Sequence, residues 1–137
     1  MKQGIKVIPK ENLIVRESFQ LPYGGGEIWF EQLDALSIYT DLVKDKFLKD
    51  MESIRRPSNS AFIAVNLCET LVDQELADMI VESLIDVKRR IIKVAFVGLN
   101  KEGKHIFKSL LKKQDCSFGY EFINEYEKAK QWLIKEN

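Results

Sequence analysis

Two apolar runs, Ala61-Phe62-Ile63-Ala64-Val65 and Ile91 to Leu99 broken only by Lys93, limit this chain more than any other feature. A strand with one face in water alternates apolar and polar residues. A strand apolar throughout is buried on both faces, as happens in parallel sheets covered by helices. Each run is followed by a short polar stretch and then a helical pattern. After the first, Leu76, Ile80, Leu84 and Val87 form an apolar stripe with Met79 beside it, while Asp78, Glu82 and Asp86 fall on the other side. After the second, Ile106, Phe107, Leu110 and Leu111 recur at helical spacing. Strands alternating with helices across short loops predict right-handed crossovers onto a mostly parallel sheet.

The flanks extend this pattern. Asn12 to Phe19, with Leu13, Val15 and Phe19, and Gly26 to Leu33, with Ile28, Trp29 and Phe30, read as two strands of a β-hairpin. Between them, Leu21-Pro22-Tyr23-Gly24-Gly25-Gly26 reads as a flexible turn. A phosphate cradle would need a helix directly after the glycines, and a strand follows. Ser37 suits the N-cap of a helix reaching about Arg55, with Val43, Phe47, Met51 and Ile54 on one face. Pro57 ends it, and Ser58 to Ser60 form a polar loop. Phe118 to Ile123 reads as a last strand, and Tyr126, Ala129, Trp132 and Leu133 as a final amphipathic helix. The order is ββαβαβαβα, or ββαβαβα with a helical ending. Trp29, Phe30 and Trp132 are expected in the core. The expected fold is thus α/β: one mixed, mostly parallel sheet with an N-terminal hairpin and crossover helices.

A chain of 137 residues with no linker or repeat is one domain, large enough to form a core without disulfides or metal. No apolar run approaches the roughly 20 residues that cross a bilayer. The start, Met1-Lys2-Gln3-Gly4, lacks an apolar segment behind its lysine, so secretion is not expected. Cys68 and Cys116 are too few for a disulfide scaffold and too far apart for a CxxC pair. A reducing, cytoplasmic setting follows as the expectation. The formal net charge of zero argues against a dedicated nucleic-acid binder. The charges are nonetheless segregated. Every ionisable side chain from Asn66 to Val87 that carries charge is acidic, whereas Lys88 to Lys113 is overwhelmingly basic. Such segments form solvated faces or a partner surface.

Gly98-Leu99-Asn100-Lys101-Glu102-Gly103-Lys104-His105 follows a strand and precedes a helix, but His105 stands where a P-loop needs Ser or Thr for magnesium. It reads as a strand-to-helix turn. His105 is the only histidine, without a second imidazole or a nucleophile elbow, and is expected at the surface. Cys68, closing a buried strand, reads as a small core residue, with a helix start beyond it as the one feature that could activate the thiol. Glu69, Asp73 and Glu75 read as acidic residues favoured in a helix's first turn. No cofactor or metal is called for.

The element order, with two local matches, resembles the STAS-like group, which includes bacterial anti-sigma-factor antagonists and small STAS/Sec14-type proteins. One match is Lys93-Val94-Ala95-Phe96-Val97-Gly98, similar to a family strand ending in a Val-Gly turn. The other is Phe122-Ile123-Asn124-Glu125-Tyr126-Glu127-Lys128-Ala129-Lys130-Gln131-Trp132-Leu133, similar to the family's closing strand and helix. The resemblance spans Glu27 to Leu133. It implies a regulatory, non-enzymatic domain switched by phosphorylation in an Asp-Ser-Ser-Gly-like turn, which corresponds to Val72-Asp73-Gln74-Glu75-Leu76. Asp73 carries over; Gln74 and Glu75 replace the hydroxyls and Leu76 the glycine. Thr70 is the nearest hydroxyl; a phosphate there would sit near a helix N-terminus but be repelled by Glu69 and Asp73, and the residue is accounted for as a turn or cap threonine. The expected function is protein binding through Asn66, Cys68, Glu69, Thr70, Asp73, Gln74 and Glu82. A small apolar-ligand or lipid-binding module is the alternative, and a small enzyme using Cys68 or the carboxylates a third. A homodimer through the hairpin edge or an apolar helix face is compatible with the pattern.

Overall fold

The computed structural model describes residues 4–54 and 61–135. Its strands are β1 (Phe19–Tyr23), β2 (Gly26–Gln32), β3 (Ala61–Asn66), β4 (Ile91–Val97) and β5 (Gly119–Ile123). Its helices are α1 (Thr40–Ile54), α2 (Gln74–Asp86), α3 (Lys101–Lys112) and α4 (Tyr126–Ile134). The five strands lie side by side in chain order, β1 antiparallel to β2 and the rest parallel. The expected α/β class and the longer of the two element orders both hold.

Sequential parallel strands joined by right-handed crossovers place α1, α2 and α3 on one face of the sheet. The two-residue period of the strands then divides the core. Trp29, Ile63, Val65, Val94 and Phe96 meet Val43, Phe47, Met51, Ile80, Leu84 and Phe107 on the three-helix side. Ile28, Phe30, Ala64, Ala95 and Val97 face the other way, onto Ala129 and Leu133 of α4. Lys93, the one polar interruption of β4, also points to the α4 side. Its Nζ donates to the Trp132 and Lys135 carbonyls at 3.0 Å each, placing a cation on the negative end of α4. Trp29 and Phe30 are core residues as expected, whereas Trp132 is half-buried beneath Lys93.

Two expectations fail here. The first strand is Phe19–Tyr23, later than Asn12 to Phe19; residues 4–18 form an irregular arm with one short turn at Lys10–Asn12. Leu13 and Val15 alternate correctly, but no neighbouring strand pairs with them. Gly24 and Gly25, at φ of 55° and 83°, form the two-residue turn instead, so the hairpin closes at Tyr23 and Gly26. Ser37 does not cap α1. It sits at φ 54°, accepts from the Ile8 amide at 3.1 Å and donates to the Lys6 carbonyl at 2.7 Å, so it anchors the arm. The expected helix end at Arg55 and Pro57 and the loop through Ser60 fall outside the described residues.

The hairpin register also bears on strand addition. Alternation from the bonded Tyr23–Gly26 pair turns the backbone nitrogens of Gln20 and Pro22 toward the free edge of β1. Pro22 has no N–H to offer, and the edge is accordingly a poor template for another strand. Among the described residues no helix is long and apolar enough to cross a membrane.

Candidate functional site

The C-terminal ends of β2, β3, β4 and β5 lie along one edge, where open α/β sheets receive ligands. Two loops there are zipped together beyond the strands. Ala35 N donates to the Cys68 carbonyl at 2.7 Å, Ser37 N to Glu69 at 3.1 Å, and Leu71 N to Ser37 at 2.8 Å. Ala35, Ser37 and Glu69 all adopt left-handed backbone, with φ of 58°, 54° and 56°. Three non-glycine residues in that region within two adjacent loops are held by the surrounding bonds, a concentration of strain typical of functional edges.

Thr70 fastens this arrangement. Its Oγ1 donates to the Leu33 carbonyl at 2.7 Å and accepts from the Leu36 amide at 3.0 Å, and the residue is buried. A phosphate there has no room, and the hydroxyl is already spent on the fold. Thr70→Val is expected to strand both buried partners and cost about 1–3 kcal/mol in a denaturant titration, whereas Thr70→Ser retains most of the stability.

The other expected site residues separate into two groups. Asn66 is buried: its Nδ2 donates to Gln32 Oε1 at 3.3 Å and its Oδ1 accepts from Cys68 N at 3.2 Å. Asp73 caps α2, accepting from Leu76 N at 2.8 Å. Cys68 is half-buried against Gly98; burial, then the negative charges of Asp34 and Glu69, push its thiol up, away from the thiolate a nucleophile needs. Glu69, Gln74 and Glu82, by contrast, are exposed. Glu75, Asp78, Glu82 and Asp86 recur along α2 opposite its buried face of Leu76, Ala77, Ile80 and Leu84. Gln74 steadies Asp78 with a 2.9 Å bond, and Lys44 of α1 pairs with Glu75. His105 is exposed, as expected.

Several residues at this edge escaped the sequence reading. Gln32 Nε2 donates to the Tyr126 hydroxyl at 3.2 Å, continuing the Asn66–Gln32 bond toward α4. Burial pushes the Tyr126 phenol up, with Arg16 and Asp34 close enough to act on it in opposite directions. Arg16, on the irregular arm, donates from Nη1 to Asp34 Oδ2 at 2.9 Å. Asp34 is 9% exposed, and its other oxygen, Oδ1, is buried without a hydrogen-bond donor. Neither residue carries a periodic or motif signal; only the folded loops bring them together. Among the described residues no group of three His, Cys, Asp or Glu side chains is arranged to hold a metal ion.

A second polar network lies beneath the arm, on the three-helix side. Glu31, 1% exposed, accepts from Trp29 Nε1 at 2.7 Å. Its Oε2 receives no donor, and the Asp50 carboxyl stands beside Glu31, so the two carboxyls share a hydrogen bond only when Glu31 holds a proton. Burial first, then this carboxylate neighbour, pushes Glu31 up to about 9. Asp50 also accepts from Lys46 Nζ at 2.8 Å and Ser18 Oγ at 2.9 Å. Ser18 Oγ in turn accepts from Gln32 N at 2.9 Å, tying the arm to β2 and α1.

No family model, curated protein or solved structure matches this chain.

Proposed function

We propose that this is a non-enzymatic, STAS-like interaction domain that receives a protein partner on the acidic side of its C-terminal edge and along α2. The observation that carries the reading is the division of labour among the edge residues. Hydroxyl, amide and thiol groups with chemical potential are consumed by the loops, while Glu69, Gln74, Glu75, Glu82 and Asp86 stand in solvent and half-buried Asp78 completes the row along α2. In the STAS-like comparison this row begins where phosphoacceptor hydroxyls would be, so its charge is permanent and needs no kinase. A fixed acidic row steers a basic partner and sets its register.

Charge reversal tests the surface without disturbing the core. Asp78→Lys/Glu82→Lys is expected to lower recovery of wild-type partners at least about tenfold in quantitative affinity capture, with an unchanged melting curve. Equal recovery by both proteins would remove α2 from the interface. The alternative, a small apolar-ligand module, draws support from Phe19, Leu21 and Tyr23, exposed on one face of β1 beside exposed Ile134 of α4. Native mass spectrometry of the purified protein, with a ligand mass retained and then lost in Leu21→Asp, is the result that would favour it.

A further inference from the structure

We infer that Asp34 is a receptor for a partner's arginine and that Arg16 occupies it in the free protein, making the N-terminal arm an internal strap over the binding edge. This rests on the acidic edge being the partner surface and specifies what that partner presents. The pairing between Arg16 and Asp34 is incomplete. A guanidinium offers parallel N–H groups that match both oxygens of a carboxylate. Arg16 reaches only Oδ2, and Oδ1 remains a buried acceptor with no donor. An unsatisfied buried acceptor costs free energy that a better-aligned guanidinium recovers. A lysine ammonium is a point donor and fits the two-oxygen geometry less well.

The arm has the construction of a displaceable element. From residue 4 to residue 18 it contains one three-residue turn and no strand pairing. Irregular segments of this length in compact domains are commonly binding loops or lids. Ile14 and Val15, next to Arg16, are 77% and 46% exposed, so the segment presenting the arginine buries little apolar surface to hold it in place. Arg16 is itself 52% exposed, against 11% for the Asp34 side chain. The cation can leave into water at small cost, while the carboxylate left behind demands a replacement. The arm stays tethered at both ends of this stretch, by Ser37 to the Lys6 and Ile8 backbone and by Ser18 to Asp50. Release of Arg16 therefore opens the site without unfolding the arm. The replacement would enter beside Tyr126 and Cys68, both near enough to feel the Asp34 charge, with exposed Glu69 extending the acidic surface.

The probe is an acetylated, amidated hexapeptide with the arm's own sequence, Leu-Ile-Val-Arg-Glu-Ser, beside a version with glutamine in place of arginine. Isothermal titration should show the arginine peptide binding Arg16→Ala about tenfold or more tightly than wild type, whose own arm competes. Asp34→Asn introduced into Arg16→Ala should abolish that gain, and the glutamine peptide should bind neither protein. Equal affinity of the arginine peptide for wild type and Arg16→Ala, no binding to Arg16→Ala, or equal binding of the two peptides would each overturn the inference. The peptide comparison keeps the outcome interpretable even where Asp34→Asn folds poorly. Loss of partner capture on α2 charge reversal without arginine dependence at Asp34 rejects the strap and leaves the acidic surface standing; the converse pattern rejects the α2 row.

Discussion

Denaturant titrations between pH 4.5 and pH 9 are expected to show stability falling as the solution becomes more alkaline, at a slope approaching about 1.4 kcal/mol per pH unit from Glu31 alone. The sign follows from where the proton is held. The Glu31 carboxyl has its ordinary pKa of about 4.5 when unfolded and is pushed up to about 9 when folded, because burial and then the Asp50 carboxyl disfavour its charge. Across that window the folded protein binds a proton that the unfolded chain has released, so raising the pH favours unfolding. The contribution is fully present below 4.5 and lost as pH rises through about 9. Asp50 acts oppositely. Burial alone would raise it, but hydrogen bonds from Glu31, Lys46 and Ser18 hold it below the usual range, so its contribution is lost on acidification. Stability should therefore peak in mildly acidic solution. Glu31→Gln preserves both contacts, since its amide oxygen can accept from Trp29 and its NH2 can donate to Asp50, and it removes the titration. The variant should match wild type near pH 5 and exceed it at pH 9. Parallel pH profiles for the two proteins would show that Glu31 is not the protonated partner.

That network was invisible in the sequence for a reason that applies to the whole edge. Glu31 follows the apolar run Ile28-Trp29-Phe30, and a lone glutamate at the end of such a run carries no signal of burial. Its burial comes from α1 crossing above it and from Ser18 of the arm, neither of which is encoded locally. Arg16 and Asp34 are similar: their pairing depends on where the arm runs after the hairpin is formed. By contrast, β3 and β4 were legible because burial on both faces makes a strand apolar throughout, and the apolar faces of α1 and α2 because burial on one side of a helix imposes a period. The first strand was misplaced because Leu13 and Val15 alternate as a strand does without a partner, while Pro22, expected in the turn, sits in a strand at an edge where no N–H is required. Among the candidate site residues, the exposure of Glu82 followed from helix phase, but the structural duties of Asn66 and Thr70 follow from loops whose backbone is left-handed at Ala35, Ser37 and Glu69.

Gly98→Ala is expected to be the most damaging single-methyl addition at the edge, costing about 3 kcal/mol or more in thermal or denaturant unfolding. Two independent penalties meet at this position. Its φ of 78° is left-handed, a conformation that strains any residue with a β-carbon. A β-carbon would also lie 2.8 Å from the Cys68 α-carbon and 3.0 Å from its β-carbon, with the sulfur closer still. The sulfur can be removed and the backbone cannot, which separates the two penalties. Cys68→Ala alone should cost about 1 kcal/mol for a half-buried side chain. In the Gly98→Ala/Cys68→Ala double variant the sulfur clash disappears while the α-carbon contact and the backbone strain remain, so only part of the loss should return. Full recovery would mean that the sulfur alone sets the requirement for glycine; no recovery would assign it to the backbone. Either result bears on binding, because the β4–α3 turn reaches the acidic edge only by passing over Cys68 at this separation. A methyl that forces the two loops apart should also loosen the Ala35–Cys68 and Ser37–Glu69 bonds, raising amide exchange at Ala35 and Ser37 before the rest of the sheet is affected.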